Sequence, residues 1–437
     1  MIYELMISLG YKEKEIKKIV NQFPLINYRE ETLYKKIDNI HHYFVHTGYS
    51  QSEIIKMAVL FPSIFTYSIN NIKRKIRFLE KQGYTRKEVL DIIKQSPMII
   101  GYSQKSIKQK QRDLLSLSFK PEELLKILKI ASFLYGYSFD TIQARFDNLI
   151  SIYNKKNALE MVKQSPLILG KNEDGIHKRM QYLEQFNLSY DEIIKICRAC
   201  PVIFTVSEKS IKRRIIFLNK IGYNNEKVVK MIKQSPNILT ASVKRIKRTI
   251  RTFSDLGYSK DNILIITSKA PSLFGNCAIN LVNKKQYFLN LGYSEEQILK
   301  MTREHPELYT YGQQKIDGIL MTLQMFGYSS EEILLITYGF PAIFGSSKES
   351  LARKLKYYNA VGFHALAIIE PKQLMQSIEL SYARKCFCEN RGIMITMDNF
   401  HKIFYGNKYF EHYYGVTKQV LLASYPFDEE RFYEKLI

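Results

Sequence analysis

A proline recurs every 35 residues along the second half of this chain, and that spacing restricts the fold more than any other feature. Pro166, Pro201, Pro236, Pro271, Pro306 and Pro341 keep the interval, and Pro24, Pro62 and Pro97 precede them on nearly the same ruler. A Gly-Tyr or Gly-Phe pair marks Gly10, Gly48, Gly83, Gly222, Gly257, Gly292, Gly327 and Gly362. Except at Gly362, each of these glycines stands 14 residues before a phased proline. Self-similarity at a fixed period of this length is the mark of a repeat architecture, in which one helical or strand unit buries its apolar face only against the next. Pro97 and Pro166 are 69 residues apart, so a degenerate repeat lies between them, with Ser132 in the proline position. Asn187 similarly replaces a phase-marking glycine.

Each repeat can be read from "GYSSEEILLITYGFPAIFGSS" at 327–347. The glycine ends one helix, where a left-handed residue is cheap only for glycine. Ser329 with Glu332 forms a capping box for the next helix, A, as Ser50 does with Glu53. Proline then stops helix A, and "PxIFxxS" is a short 3₁₀ turn with two apolar anchors, Ile64 and Phe65 in one copy. Ser68, Ser138, Ser207 and Asn276 are placed to cap a second helix, B. The expected fold is all-α, an α-solenoid of about ten such repeats over 1–362, the first partial and a degenerate one near 118–152. Residues 363–437 are expected to form a helical C-terminal capping region.

Helix B carries the chemistry. "IKRKI" (72–76), "IKRRI" (211–215) and "IKRTI" (246–250) are in-phase copies with cations between two apolar residues. The three slots hold Lys73-Arg74-Lys75, Lys108 with Lys110, Arg145 alone, Lys178-Arg179, Lys212-Arg213-Arg214, Lys247-Arg248, Lys284, and Arg353-Lys354; sixteen of thirty slots over ten repeats are cationic and two are acidic. Arg77, Arg251 and Lys285 extend the same helix faces. At about 100° per residue the first two slots point away from the buried stripe and the third lies on its flank. Stacking in register lines such charges up. That arrangement is costly without a polyanion, and Arg suits bidentate phosphate contacts. Asp317-Gly318-Ile319 interrupts the track. Helix A instead starts with acids, which complement its dipole and need no functional account. The Gly-Tyr tyrosines are assigned to packing between repeats.

Composition supports this reading. The chain of 437 residues is too long for one core and carries a formal charge of +23 from 65 Lys and Arg against 42 Asp and Glu. The five cysteines form no disulfide framework, and Cys197-x-x-Cys200 has no second ligand pair, so buried thiols in a reducing compartment are expected. No nucleotide loop, H-E-x-x-H, G-x-S-x-G or paired carboxylates appear, and the histidines are scattered, so no catalytic residue, metal or cofactor is assigned. No signal, transit or membrane-spanning segment is visible.

The repeat "PSIFTYSINNIKRKIRFLEKQGY" and the tail "NFHKIFYGNKYFEHYYGVTKQVLLASYP", with its "FxxxYG" pattern, resemble the mitochondrial transcription termination factor (mTERF) family over nearly the whole chain. The resemblance implies repeats of two α-helices and a 3₁₀ helix, a curved superhelix with a basic concave groove, and a role in transcription, RNA maturation or splicing. The Ile-, Lys-, Asn- and Tyr-rich composition and the missing targeting segment point to a bacterial, cytoplasmic relative; a mitochondrial or plastid setting follows if a presequence has been removed. A monomer on duplex DNA, regulating transcription, is the leading expectation. An RNA-binding solenoid and a protein-interaction solenoid are the alternatives.

Overall fold

The structure, a computed structural model, describes residues 1–22, 29–396, 399, 403–404 and 406–434; the phased Pro24 and residues 400–402 and 405 of the tail stretch lie outside the described residues. The chain is an all-α solenoid of helical repeats, with no strand among the described residues. It divides into two compact halves, Met1–Ile215 and Ile216–Ile437.

In the first half, Gln51–Leu60, Pro62–Thr66 and Ile69–Lys81 are helix A, the 3₁₀ turn and helix B of one repeat. Ser50 Oγ accepts the Glu53 N–H, and the Glu53 carboxylate accepts the Ser50 N–H at 2.9 Å, closing a capping box. Pro62 has no N–H to return to helix A, and Ile64 N–H turns back to the Phe61 carbonyl at 3.0 Å. That tight turn drives Ile64 and Phe65 into the core, where both are fully buried. At the joint, Gly48 sits at φ +100° and Tyr49 N–H reaches the Phe44 carbonyl at 3.1 Å, a Schellman closure.

Two joints lack glycine and still take the left-handed conformation: Ser118 at φ 79° and Asn187 at φ 54°. The 69-residue interval has a different origin. Helix B and the next helix A run together as Phe139–Gln164, broken only at Asn154 (φ 64°, ψ 163°). Ile152 holds the glycine phase and Tyr153 is buried at the tyrosine phase. Asn154 Oδ1 then accepts the Asn157 N–H at 3.1 Å, so one residue both breaks a helix and caps the next. The joint is one residue shorter.

The second half repeats the order from Asn225–Gln234, Pro236–Leu239 and Val243–Asp255 to Ser330–Gly339, Pro341–Gly345 and Lys348–Ala360. Its joint tyrosines are buried and bonded. Tyr258 meets Thr302 Oγ1 at 2.6 Å, and Tyr223 and Tyr293 meet Thr267 and Thr337 in the same way. Each threonine hydroxyl donates to the carbonyl four residues back, on Ile298, Ile263 and Ile333, so its oxygen is left to accept from the phenol. Base stacking has no access to these rings. The sequence-based cap at Asn276 is corrected: Ala278–Asn290 begins at Cys277, in phase with Ser207, and has no side-chain cap, while Asn276 ends the preceding 3₁₀ turn.

Past Gly362 the order continues with a shortened helix A, Leu366–Ile369, then Pro371–Met375 and Ile378–Asn390, the last capped by Ser377. Further along, the described residues include the short helices Asn407–Tyr414, Lys418–Ser424 and Glu429–Glu434. Gly415, in the "FEHYYG" stretch, ends the first at φ +67°.

The joints make a stability prediction. Gly222 has φ +123°, and a Cβ there would stand 3.0 Å from Leu264 Cδ1. Gly222→Ala is expected to cost about 1–2 kcal/mol in urea unfolding. Gly257→Ala, at φ +90° with nothing within 4 Å, should cost less. Equal losses would show that the Leu264 contact does not matter.

Candidate nucleic-acid interface

The three helix-B slots have different surroundings. The third slot turns toward the next repeat. Lys75 is 7% exposed, and its ammonium donates to the Tyr102 carbonyl. Lys110 donates to the Tyr137 carbonyl, Arg179 to that of Val206, and Lys284 to that of Tyr311 at 2.8 Å. Every acceptor lies 27 residues on and is the last carbonyl before the N-cap of the next helix B. Arg145 makes a related bond to the Leu169 carbonyl at 2.9 Å and lies 4.5 Å over the Tyr137 ring. Burial pushes the pKa of Lys75, Lys110, Lys284 and Arg179 below their ordinary values. A carbonyl dipole offsets part of that desolvation. Arg214 and Lys354 are half-buried in the same phase, and burial lowers both. Thr249 fills the slot in one repeat and donates to the Arg245 carbonyl at 3.2 Å.

The first two slots face solvent. Lys73, Arg74, Lys108, Lys178, Lys212 and Arg213 are exposed in the first half, and Lys247 and Arg248 in the second. Arg77 and Arg251 are exposed one turn further along their helices. Three of the lysines lie over an aromatic ring 30 residues earlier: Lys73 over Tyr43 at 5.6 Å, Lys108 over Phe78 at 6.0 Å and Lys247 over Phe217 at 5.4 Å. Such contacts contribute roughly 0.5–1 kcal/mol at exposed sites, enough to favour one rotamer while leaving the ammonium hydrated.

Helix A explains why this excess charge is not neutralised internally. Its capping glutamates also pair with lysines of the following helix A: Glu53 with Lys94 at 3.2 Å, Glu88 with Lys129 at 2.7 Å and Glu123 with Lys163 at 3.1 Å. Lys129 is the main cause that holds the Glu88 carboxyl down at about 2. Acids are consumed on that side. Among the described residues Lys108, Lys178, Lys212, Arg213, Lys247 and Arg248 form no ion pair.

Besides the third-slot cations, Lys285 and Arg353 depart from the sequence reading. Lys285, grouped there with the exposed faces, is buried and donates to the Leu256 carbonyl at 2.9 Å and to Glu295 at 3.0 Å. A shift of one residue on a helix turns a side chain by about 100°, which takes it from Lys284's flank into the core. Arg353 is held by Glu379 at 3.2 Å and Glu429 at 2.7 Å. At the interruption, Asp317 accepts from the Tyr287 hydroxyl.

Other exposed cations belong to the same helices and escaped the slot pattern. Arg112 is in phase with Arg77 and Arg251. Lys105, Lys209, Lys244 and Arg245 occupy first turns of helix B, where positive charge opposes the helix dipole. That opposition was the available signal, since the fold gains nothing from cations there.

Of the remaining reactive groups, the Cys197-x-x-Cys200 pair and His41 are enclosed, whereas Cys277 is exposed. Cys197 and Cys200 are buried, and desolvation pushes the Cys197 thiol up to about 12. His41 is buried against Tyr11 at 2.6 Å, and burial lowers it to about 4. No described helix is long and apolar enough to cross a membrane. In comparisons with known proteins, the family model described as mTERF matches residues 4–157, 70–183, 151–254 and 240–380. A search of curated proteins finds no match.

Proposed function

This chain belongs to the mTERF family, whose members are nucleic-acid-binding helical-repeat proteins, and from that premise we propose that it binds double-stranded DNA through the first two helix-B slots and regulates transcription. One observation carries the reading: exposed cations recur at one phase of five repeats, at 73–74, 108, 178, 212–213 and 247–248, while the third slot is engaged in packing. Pairs such as Lys212 with Arg213 and Lys247 with Arg248 offer a point charge and a bidentate fork to backbone phosphates. Each neutralised phosphate releases counterions.

The duplex is favoured over single strands because, among the described residues, this face carries no exposed base-stacking platform. Single-strand readers present open aromatic rings. Here the exposed large aromatics among the described residues are Tyr3, Tyr190, Tyr409 and Tyr413, none in a helix-B slot. The rings that do accompany the slots lie beneath lysines.

The test is a salt-titrated anisotropy comparison of duplex DNA, single-stranded DNA and RNA of one sequence. The duplex should bind most tightly, with log K falling by about 0.9 per phosphate neutralised for each tenfold rise in salt. Tighter binding of RNA at every salt concentration would replace this reading with RNA recognition. No salt-sensitive affinity for any nucleic acid would leave a protein-interaction solenoid. Run-off transcription across a bound template should yield shortened or depleted product.

A further inference from the structure

The C-terminal segment lies on the helix-B face of the last full repeat. Helix Lys348–Ala360 puts Arg353 in phase with Arg74, Arg213 and Arg248, and Lys356 in phase with Arg77 and Arg251. In the repeats of Arg74, Arg213 and Arg248 those positions look into solvent. Here Arg353 Nε donates to Glu429 at 2.7 Å while another nitrogen of the same guanidinium donates to Glu379 at 3.2 Å. Lys356 Nζ stands 4.0 Å over the Tyr433 ring. Both outward cations of this repeat are therefore engaged, and by a segment far along the chain: Glu429 is 76 residues from Arg353.

The segment is built for this contact. From Pro426 to Glu434 it carries Asp428, Glu429, Glu430 and Glu434 against Arg431. Phe427 and Phe432 anchor it, their ring centroids 5.8 and 5.6 Å from Tyr357 and 5.1 and 5.7 Å from Tyr382. The helix Glu429–Glu434 has only 6 residues, too short to persist without its contacts. Its ion pair is also weak: the Arg353 and Glu429 side chains keep 46% and 38% of their exposure, so water screens them.

We propose that residues 426–434 are an internal anion that occupies the phosphate-facing positions of the last full repeat and is displaced when nucleic acid binds. This rests on the reading of the helix-B face as a phosphate-binding surface. Glu429 and Glu379 present carboxylate oxygens to separate nitrogens of the Arg353 fork, as two phosphate oxygens do. The aromatic anchors hold the segment near while its charged part exchanges. The device lowers affinity for weakly held polyanions and adds contacts only on a ligand that reaches this end of the face.

The full chain, Glu429→Gln, and a deletion of residues 426–437 are titrated with a fluorescein-labelled duplex DNA over a range of salt, folding being checked by circular dichroism. Glu429→Gln should tighten binding about threefold. The deletion should tighten it about tenfold and steepen the salt slope by about 1, since Lys356 is uncovered while Arg353 keeps Glu379 as its one partner. If the deletion disturbs the Tyr357 packing, Glu429→Gln decides, because it keeps both phenylalanine anchors. The chain has no Trp, so Tyr433→Trp places a single reporter indole over Lys356. Its emission should shift to the red as duplex saturates. Wild-type binding with unchanged affinity in both variants, or a Tyr433→Trp emission unmoved at saturation, overturns the displacement alone. Loss of salt-dependent binding in every form, wild type included, overturns the phosphate-binding reading and the displacement with it.

Discussion

Lys212, Arg213, Lys247 and Arg248 changed together to glutamate should reduce duplex affinity by about a thousandfold or more and flatten the salt dependence. The four residues are exposed and form no ion pair among the described residues, and Lys247 lies over the Phe217 ring. If each neutralises one phosphate, removing all four lowers the slope of log K against log salt by about 3.6, and the reversed charges add repulsion. Stability should change by about 1 kcal/mol or less, most of it from the lost contact of Lys247 with the Phe217 ring. The readout is therefore specific: circular dichroism unchanged, unfolding little changed, binding lost. A slope that stays at the wild-type value would remove the first two slots from the interface.

Lys75→Met should produce the opposite pattern. The substitution retains the apolar stem and removes the donor that satisfies the Tyr102 carbonyl inside a buried inter-repeat contact. A buried acceptor left without a partner costs about 1–3 kcal/mol, so the urea midpoint should fall while the salt slope of duplex binding keeps its wild-type value. Lys110→Met should behave alike through the Tyr137 carbonyl. Lys75→Arg should recover most of the loss, since Arg179 makes the equivalent bond to Val206 in the same phase. Unchanged stability together with a slope shallower by about 0.9 would instead make Lys75 a phosphate ligand.

These two experiments separate residues that a sequence groups together. In "IKRKI", Lys73, Arg74 and Lys75 are three consecutive cations, and helical geometry places the third only on a flank. A flank residue is open or buried according to what the next repeat presents. The Tyr102 carbonyl settles that for Lys75 from 27 residues away, beyond any helical turn. Lys285 shows the same limit, because its partner carbonyl on Leu256 belongs to the preceding joint. Ser118 and Asn154 were hidden for another reason. Serine and asparagine have no unique backbone preference, so their positive φ values are visible only once the joint is built.

The sequence by itself determined the repeat, its all-α character, the stops at the phased prolines from Pro62 on, the capping boxes at Ser50 and Ser329, and the helix that carries the cations. Those follow from interactions within a few residues: a missing N–H, a left-handed glycine, a side chain returning to its own backbone, and a helical period. Only the tertiary structure decided which cations remain available. It turned the third slot into a bond between repeats, buried Lys285, and laid Glu429 and Tyr433 on Arg353 and Lys356. Charge is a property of the residue, but its availability depends on neighbours 10 to 76 residues away, and no local period records them.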